Sequence, residues 1–195
     1  MFENGFPIEL KKDFETVLQL ISRGTYNNIN LDATEQSCTY ILLNGETISF
    51  PYRIYCIDQY NTLPASLTFE QKMIYHAIFT RSSDGFVREK HIESILKEEF
   101  PEWIIPYIIK VSDEYVIEIL ETVYNAIRDI NTDKIKDFCC LNVKSFLYSH
   151  DRMISYWNEF YRNQNFYYKD YIGKKLFSEC FGYTRSMEKE RKNRV

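Results

Sequence analysis

The N-terminal segment of the chain has the spacing of an amphipathic helix. Between residues 8 and 22 five apolar side chains follow one another at spacings of four, three, one and three, and they are Leu10, Phe14, Val17, Leu18 and Ile21. A helix with this spacing gathers them on one face, which it buries against a core. Gly24 adopts left-handed backbone at little cost, so we expect it to end this helix.

A β-hairpin is predicted at about residues 38–50, which read CTYILLNGETISF. Two runs rich in strand-forming residues flank Asn44 and Gly45, a pair that tolerates the positive φ angles of a two-residue type I′ turn. A lone two-stranded ribbon is only marginally stable in water. The hairpin therefore either packs against helices or gains a third strand from residues 51–57.

From Thr68 onward the pattern is helical almost to the end of the chain. Thr68 and Gln71 have the spacing of a capping box. Further helices are predicted at about 85–98, 101–110, 113–128 and 133–148, and in two amphipathic segments within 156–183. Pro106 lies inside one of these helices and is expected to kink it, and Ser112 or Asp113 is expected to cap the next.

Together these elements predict a mainly α fold of stacked helical hairpins in a single domain, 1–195. Residues 1–66 would form a cap made of one helix and the hairpin, residues 67–183 the helical body, and residues 184–195 a frayed polar tail. The cap would cover the apolar face that the end of a helical stack otherwise exposes.

An internal similarity relates two of the predicted helices. Ser83–Glu89 reads SDGFVRE and Ser112–Glu118 reads SDEYVIE, so Ser, Asp, an aromatic residue, Val and Glu recur at an offset of 29 residues. In this register Val87 corresponds to Val116, and we expect both to be buried on helices that superpose. A third and more divergent copy begins at Asp151.

This pattern resembles the HEAT-like helical repeat over residues 68–128. In that family a helix, a tight turn with Asp and a second helix that begins with Val-Arg stack into a right-handed solenoid. Pro101–Pro106 followed by Asp113 is similar to one unit, and Asp84 followed by Val87 and Arg88 is similar to another.

The resemblance implies structural roles for three residues. Asp84 and Asp113 would each cap the second helix of a unit, and Arg88 would reach Asp113 in the next unit. Position 117 is Ile where the pattern has Arg, so this ladder of Asp and Arg would stop after one step.

The composition is typical of a globular protein. The 195 residues are 45% hydrophobic and 27% charged, which is too apolar for a disordered chain. No run approaches the roughly 18 to 20 uncharged apolar residues of a membrane span, and the N-terminus lacks the basic flank and apolar core of a signal peptide. We therefore expect a cytoplasmic protein that makes no membrane contact.

The charge is distributed unevenly along the chain. Residues 1–151 contain 14 basic and 23 acidic residues, whereas residues 152–195 contain 10 basic and 5 acidic residues, for a net charge of -4. An acidic body thus carries a basic C-terminal end, which either steers a partner or lies on the body.

No motif in the sequence names a reaction or a ligand. The chain has no GxSxG, GxGxxG, Walker or HExxH sequence, and its five cysteines and three histidines have no standard zinc spacing. We therefore expect no cofactor and no metal. Cys139 and Cys140 are either a redox pair or, as we favour, small core residues.

The remaining titratable residues have an ordinary interpretation that we favour over a catalytic one. His76 and His91 lie among apolar residues and are expected to pack in the core. Acidic pairs such as Glu98-Glu99 and Asp113-Glu114 have the composition of a cation site or an acid and base, but clustered carboxylates at helix ends are usually solvated, and we expect them to be so.

The C-terminal third is the compositionally unusual part. Residues 156–183 contain eleven aromatic residues interleaved with basic ones, a composition in which bases stack and phosphates pair. The interpretation we favour is two amphipathic helices that close the core, with Trp157 and Phe160 buried. The candidate partner-binding residues of this segment are Arg162, Tyr167, Tyr168, Lys169 and Lys174, of which the two tyrosines are expected to be the most exposed rings.

Three functions follow from this sequence. We favour a non-catalytic helical module that binds another protein, as an adaptor or an inhibitor of the antidote type, because stacked hairpins present an extended surface. The alternative is nucleic-acid binding through the basic aromatic C-terminal third, against which the overall pI of about 5.5 argues. The third is an enzyme with a carboxylate or histidine site in the helical groove.

Overall fold

The structure is a computed structural model that describes residues 2–26, 29–164 and 167–193. It is mainly helical, as the sequence predicts. The helices are α1 (Lys11–Leu18), α2 (Phe69–Phe79), α3 (Gly85–Leu96), α4 (Ile105–Val111), α5 (Ile117–Ile127), α6 (Asp133–Leu141), α7 (Val143–Tyr156), α8 (Ile172–Lys175) and α9 (Arg185–Asn193). The strands are β1 (Ser22–Tyr26), β2 (Ile29–Leu31), β3 (Ser37–Ile41), β4 (Thr47–Pro51) and β5 (Cys56–Ile57). The stacked-hairpin, solenoid-type arrangement stays a prediction.

The prediction that Gly24 ends the first helix is wrong. The helix α1 stops at Leu18, and Gly24 lies within β1, where it pairs with Leu31 of β2. On its other side β1 pairs antiparallel with β5, with Ser22 opposite Ile57. The strand offered by residues 51–57 is therefore added to β1 and not to the predicted hairpin.

The hairpin at about 38–50 is confirmed, but its predicted two-residue turn is wrong. The strands β3 and β4 pair antiparallel with Ile41 opposite Thr47. The Gly45 N–H donates to the Leu42 carbonyl (2.9 Å) and the Leu42 N–H donates to the Glu46 carbonyl (2.7 Å). The loop between Leu42 and Glu46 thus has three residues and ends in a β-bulge at Gly45. The φ of Gly45, 87°, is the left-handed conformation that this kind of bulge requires.

The hairpin packs on the helices through its aromatic residues. Phe50 stacks on Tyr107 of α4 with ring centroids 4.2 Å apart, and Tyr40 lies 5.8 Å from the ring of Phe138 on α6. These side chains are buried members of a hydrophobic core that also includes residues of the N-terminal segment and the C-terminal helices. The core residues of the predicted cap and body therefore contact each other directly.

The capping box at the start of α2 is confirmed. The Gln71 N–H donates to Thr68 Oγ1 (3.2 Å), and the Thr68 N–H donates to Gln71 Oε1 (3.1 Å). These reciprocal bonds satisfy two of the backbone groups that the first turn of a helix leaves without partners. The next helix, α3, has Asp84 as its N-cap, and the Phe86 N–H donates to the Asp84 carboxylate (2.9 Å).

The two segments related by 29 residues differ in local structure. Val87 is the third residue of α3, whereas Val116 is extended and precedes α5, which begins at Ile117 instead of Asp113. Both valines are half-buried against the core and not fully buried as expected. Pro106 lies in the first turn of α4, where a missing N–H costs no hydrogen bond, so it does not act as a mid-helix kink.

The predicted helix at 133–148 is two helices, α6 and α7, that meet at Asn142. The Asn142 side chain accepts from the Ile41 N–H and donates to the Ile41 carbonyl, both at 2.8 Å. The junction between the helices is therefore anchored to β3 through the backbone of one strand residue.

The C-terminal segment closes the core, but not with the predicted residues. A π-helical turn, Trp157–Tyr161, continues α7, and another, Leu176–Cys180, continues α8. Phe160 is 53% exposed, so its predicted burial is wrong. The prediction of a frayed tail is also wrong over residues 185–193, which form α9 with Met187 buried. Within the three described ranges no helix has both the length and the apolarity to cross a membrane.

Candidate functional site

Two consecutive carboxylates are buried in the segment between α4 and α5. The side chains of Asp113 and Glu114 are fully inaccessible to solvent, so the expectation of a solvated acidic pair is wrong. Ionised carboxylates are buried only where opposite charges and hydrogen bonds replace water. Five cationic side chains do so here: Arg53, Arg81, Arg88, Lys110 and Arg152.

Glu114 is shared by three arginines. Arg53 donates a hydrogen bond to Glu114 Oε2, Arg81 Nη2 lies 3.5 Å from Oε1, and Arg88 Nη2 lies 3.7 Å from Oε2. Burial alone would raise the pKa of the Glu114 carboxyl, but the charges of the three guanidinium groups outweigh it and hold that pKa below its ordinary value. The acid that Arg88 reaches is therefore Glu114 and not Asp113, and this part of the expectation is wrong.

Asp113 does not cap α5, because its carboxylate is directed into the cluster. Lys110 donates a hydrogen bond to Asp113 Oδ2, and the Ser149 hydroxyl donates to the same oxygen at 3.0 Å. Arg152 Nε lies 3.6 Å from Oδ1. The capping role implied for Asp84 does hold in α3, whereas the same role is wrong for Asp113, since the chain between Ser112 and Val116 is not yet helical.

The aromatic ring of Tyr52 lies at the centre of the cationic groups. The distances from the ring centroid are 4.5 Å to Arg53 Cζ, 4.7 Å to Lys110 Nζ, 5.0 Å to Arg152 Cζ and 5.8 Å to Arg81 Cζ. The electron-rich faces of a tyrosine attract cations at these distances. The Tyr52 carbonyl also accepts from Arg53 (3.0 Å) and Arg81 (2.7 Å), and its hydroxyl accepts from Arg152.

The cluster carries an excess of positive charge. Five cations share two carboxylates, so the formal charge of these seven described side chains is +3. Charges of the same sign repel strongly in a medium of low dielectric constant. Burial, together with the charge of Arg53, lowers the pKa of the Arg81 guanidinium, whereas Glu114 and Asp113 outweigh burial at Arg53 and Arg152 and raise their pKa values. A further anion placed beside this cluster would therefore be attracted to it.

A cleft of about 360 Å³ lies beside the cluster. Its lining residues come from β3 and its preceding residue, from Tyr52, from α4 and from α7: Gln36, Ser37, Cys38, Thr39, Tyr40, Tyr52, Lys110, Lys144, Ser145, Tyr148 and Ser149. Two of these described residues are lysines and none is acidic. Lys110 and Tyr52 belong to both the cleft and the cluster, so the cluster adjoins the wall of the cleft.

Three titratable groups of the cleft wall, Cys38, Tyr40 and Tyr52, are held in their neutral forms. Burial raises the pKa of the Cys38 thiol and of the Tyr40 phenol above their ordinary values, and it raises the pKa of Tyr52 to about 12. A thiol or phenol that is protonated at neutral pH is a poor nucleophile or general base. These three groups therefore suit the binding of an anion and not acid–base chemistry.

The two histidines expected in the core are buried there and contact each other. His76 Nδ1 lies 2.8 Å from His91 Nδ1, and His91 Nε2 lies 3.2 Å from Asp58 Oδ1. Tyr75 donates a hydrogen bond to the same oxygen of Asp58 (3.0 Å), and Lys90 Nζ lies 3.1 Å from the other. Burial lowers the pKa of His76 to about 3 and of His91 to about 4, so both rings are neutral at pH 7.

The candidate residues of the C-terminal third lie outside the cleft lining. Arg162 and Lys169 are exposed, Tyr167 is 62% exposed, and Lys169 Nζ lies 5.3 Å from the Tyr167 ring centroid. Tyr168 is half-buried against Trp157 with ring centroids 5.0 Å apart, so only one of the two tyrosines is the exposed ring that the sequence predicts. The fifth residue of the set, on α8, is the half-buried Lys174.

One feature of the sequence indicates the cluster, namely charged residues within or next to apolar helical stretches. Lys110 stands within the apolar run IIPYIIKV, and Arg81 follows the apolar stretch of α2. A charged residue inside a buried helical pattern is almost always paired. Its partner, however, lies far away in sequence, as Arg53 does from Glu114, so the signal predicts a buried ion pair without naming its members.

Among the described residues there is no group of three or more His, Cys, Asp or Glu side chains placed to hold a metal ion. Cys139 is buried and Cys140 is exposed, and both are free thiols. Comparisons with protein-family models, with curated protein sequences and with solved structures find no match for this chain.

Proposed function

We propose that this protein is a non-catalytic helical module that binds another protein, and that the cleft beside Tyr52 is where an acidic part of the partner docks. The observation that carries the proposal is the charge balance of the cluster, in which five cations share two carboxylates. Carboxylates brought by a partner would reduce the repulsion among these cations.

The chemistry of the cleft supports binding over catalysis. Its lysines, Lys110 and Lys144, supply positive charge, its serine and threonine residues supply hydroxyl groups, and Tyr148 supplies an aromatic ring that is 51% exposed. Tyrosines are enriched at surfaces at which proteins meet, and the lysines supply the charge complementarity that an acidic partner requires. A HEAT-like stack of hairpins would suit the same adaptor or inhibitor role, because such stacks present extended surfaces to proteins.

The test is capture of a partner with two charge-reversed variants of the full chain. Lys144→Glu places an acid at the cleft, and Lys169→Glu makes the same change at an exposed position outside it. We expect a stoichiometric acidic protein to be captured by the wild type and by Lys169→Glu, but not by Lys144→Glu. The purified partner should then bind with an affinity that falls as salt is raised. Equal capture by both variants, or no captured protein, would contradict the proposal.

A second candidate function is nucleic-acid binding through the C-terminal third. The observation that favours it is the exposed group formed by Arg162, Tyr167 and Lys169 in the part of the chain that carries the basic excess. Exposed rings and cations of this kind stack on bases and contact phosphates. In the capture experiment this function predicts nucleic acid as the bound species and its loss in Lys169→Glu.

A further inference from the structure

The hydrogen-bond pattern of the hairpin determines which backbone groups of β3 point away from β4. The Leu42 N–H donates to Glu46 and the Tyr52 N–H donates to Gln36, so the even-numbered residues of β3 are the ones that exchange hydrogen bonds with β4. The N–H and carbonyl groups of Ser37, Thr39 and Ile41 therefore form the outer edge of the strand.

Side chains of α7 and its preceding residue cover only one end of that edge. Asn142 bonds both the N–H and the carbonyl of Ile41, and the Ser145 hydroxyl donates to the Thr39 carbonyl at 3.3 Å. No described group hydrogen-bonds the Thr39 N–H or either backbone group of Ser37. These three groups lie on the strand that lines the cleft, in the order donor, acceptor, donor.

We propose that an acidic peptide segment of the partner, in extended conformation, adds as a strand to β3 at Ser37–Thr39, with its carboxylates directed to Lys110 and Lys144. The inference rests on the proposed function and specifies the recognition mode of the same cleft. An exposed strand edge is a template for another chain, because main-chain hydrogen bonds supply affinity and alternate side chains supply specificity.

The edge chemistry favours a peptide over a free phosphate. A peptide strand carries both N–H and carbonyl groups at the spacing of β3, so it can bond all three open groups. A phosphate group accepts from N–H groups, but its fully ionised form cannot donate to the Ser37 carbonyl. Asn142 ends the open edge at Ile41, so the added strand pairs with only a short stretch and depends on its charge for much of its affinity.

The experiment is selection of peptides by the full wild-type chain from a phage-displayed library of random seven-residue sequences. We expect the selected peptides to be rich in Asp and Glu. Synthetic versions should bind at least about tenfold more weakly to Lys144→Glu than to Lys169→Glu, because only the first change reverses the charge of the cleft.

Backbone methylation tests strand addition itself. A peptide N-methylated at alternate residues keeps its charges but loses the donors on one edge, and we expect one of the two methylation registers to weaken binding at least tenfold. Thr39→Pro removes the donor of β3 from the protein side at a residue that lies opposite Ser49 but whose N–H faces away from β4. We expect a similar loss of binding with the thermal unfolding transition retained.

The failures of the two proposals are distinguishable. If acidic peptides bind and lose affinity in Lys144→Glu, but neither methylation register matters, strand addition is wrong and the proposed function stands. If no peptide is enriched, or inorganic phosphate competes fully at concentrations below those of the peptides, strand addition is also wrong. The capture of a whole partner then decides the proposed function independently.

Discussion

The carboxamide of Asn142 bonds Ile41 at both of its backbone groups, with each donor–acceptor distance 2.8 Å. The same side-chain nitrogen also donates to the Phe138 carbonyl at 3.0 Å. One side chain therefore bonds the last turn of α6 and closes one end of the outer edge of β3. The boundary of the proposed peptide site is set by this contact.

Replacing this side chain should destabilise the fold. Asn142→Ala removes three hydrogen bonds and leaves backbone groups of Ile41 without partners, so we expect a loss of about 2 kcal/mol in the free energy of unfolding. Asn142→Asp should cost at least as much, because a carboxylate accepts from the Ile41 N–H but repels the Ile41 carbonyl. Urea unfolding measures both, with Asn61→Ala at an exposed position as the control within about 0.5 kcal/mol.

Glu114→Gln should destabilise the fold strongly, although glutamine has nearly the same shape as glutamate. The variant keeps the volume of the side chain but removes the charge shared by Arg53, Arg81 and Arg88. Loss of one partner from a buried ion cluster costs about 3 to 5 kcal/mol. Glu121→Gln on the exposed face of α5 should stay within about 0.5 kcal/mol in the same chemical denaturation experiment. Equal effects of the two changes would show that Glu114 is not the counter-charge of the cluster.

The contacting pair His76 and His91 makes the stability of the fold depend on pH. Their pKa values are lowered to about 3 and about 4 by burial, whereas an unfolded histidine has a pKa of about 6.5. The unfolded chain therefore takes up protons below pH 6.5 that the folded chain cannot, and stability is lost as the pH falls from 6.5 toward 4. Asp58, whose pKa is lowered, loses its stabilising effect only below about pH 4.

The expected size is about 1 to 2 kcal/mol for each ring between pH 7 and pH 5. Urea midpoints measured over this range should fall with pH, and His76→Gln should reduce the slope by about one proton. Because His76 and His91 are in contact, the stability effects of replacing each of them are not expected to add. An unchanged slope in His76→Gln would mean that this ring is protonated in the folded protein.

Local patterns in the sequence predicted the elements whose stability is local. The capping box of Thr68 and Gln71 and the hairpin around Gly45 both depend on residues within a few positions of one another. The N-cap at Asp84, which the HEAT-like resemblance implied, is equally local. The three-residue turn of the hairpin was not predicted, because Asn44-Gly45 is compatible with more than one turn type. The burial of His76 and His91 was likewise predicted from their apolar neighbours.

Contacts between distant segments account for the errors. The pairing of β1 with β5 joins residues more than thirty positions apart, and Asn142 interrupts a helical pattern because it bonds Ile41. Asp113 and Glu114 look like a solvated helix end in sequence, since nothing nearby shows that Arg53 and Arg152 converge on them. The sequence therefore shows the residue types of the candidate site, but it does not show that the fold brings them together.

The aromatic residues at the end of α7 should differ in their effect on stability. Trp157 is half-buried and lies 5.0 Å from the Tyr168 ring, whereas Phe160 is 53% exposed beside Tyr115. Because the energy lost scales with the area and volume buried, Trp157→Ala should cost about 2 kcal/mol and Phe160→Ala less than about 1 kcal/mol. Thermal and urea unfolding of the two variants compare them directly. A larger loss for Phe160→Ala would place its ring in the core.

The nucleic-acid candidate predicts a salt-sensitive affinity for single strands that depends on the C-terminal third and not on the cleft. If Arg162, Tyr167 and Lys169 contact single strands, the logarithm of the affinity for an oligonucleotide should fall with the logarithm of salt by about 0.7 for each phosphate neutralised. The double variant Lys169→Glu/Lys174→Glu should then abolish binding while Lys144→Glu retains it. We expect no measurable affinity of the wild type at physiological salt, because the chain has a net charge of -4 and much of its local cationic excess is buried around Glu114. Fluorescence anisotropy with a labelled single strand checks this, and submicromolar, salt-sensitive binding that survives Lys144→Glu would replace the protein partner with a nucleic acid.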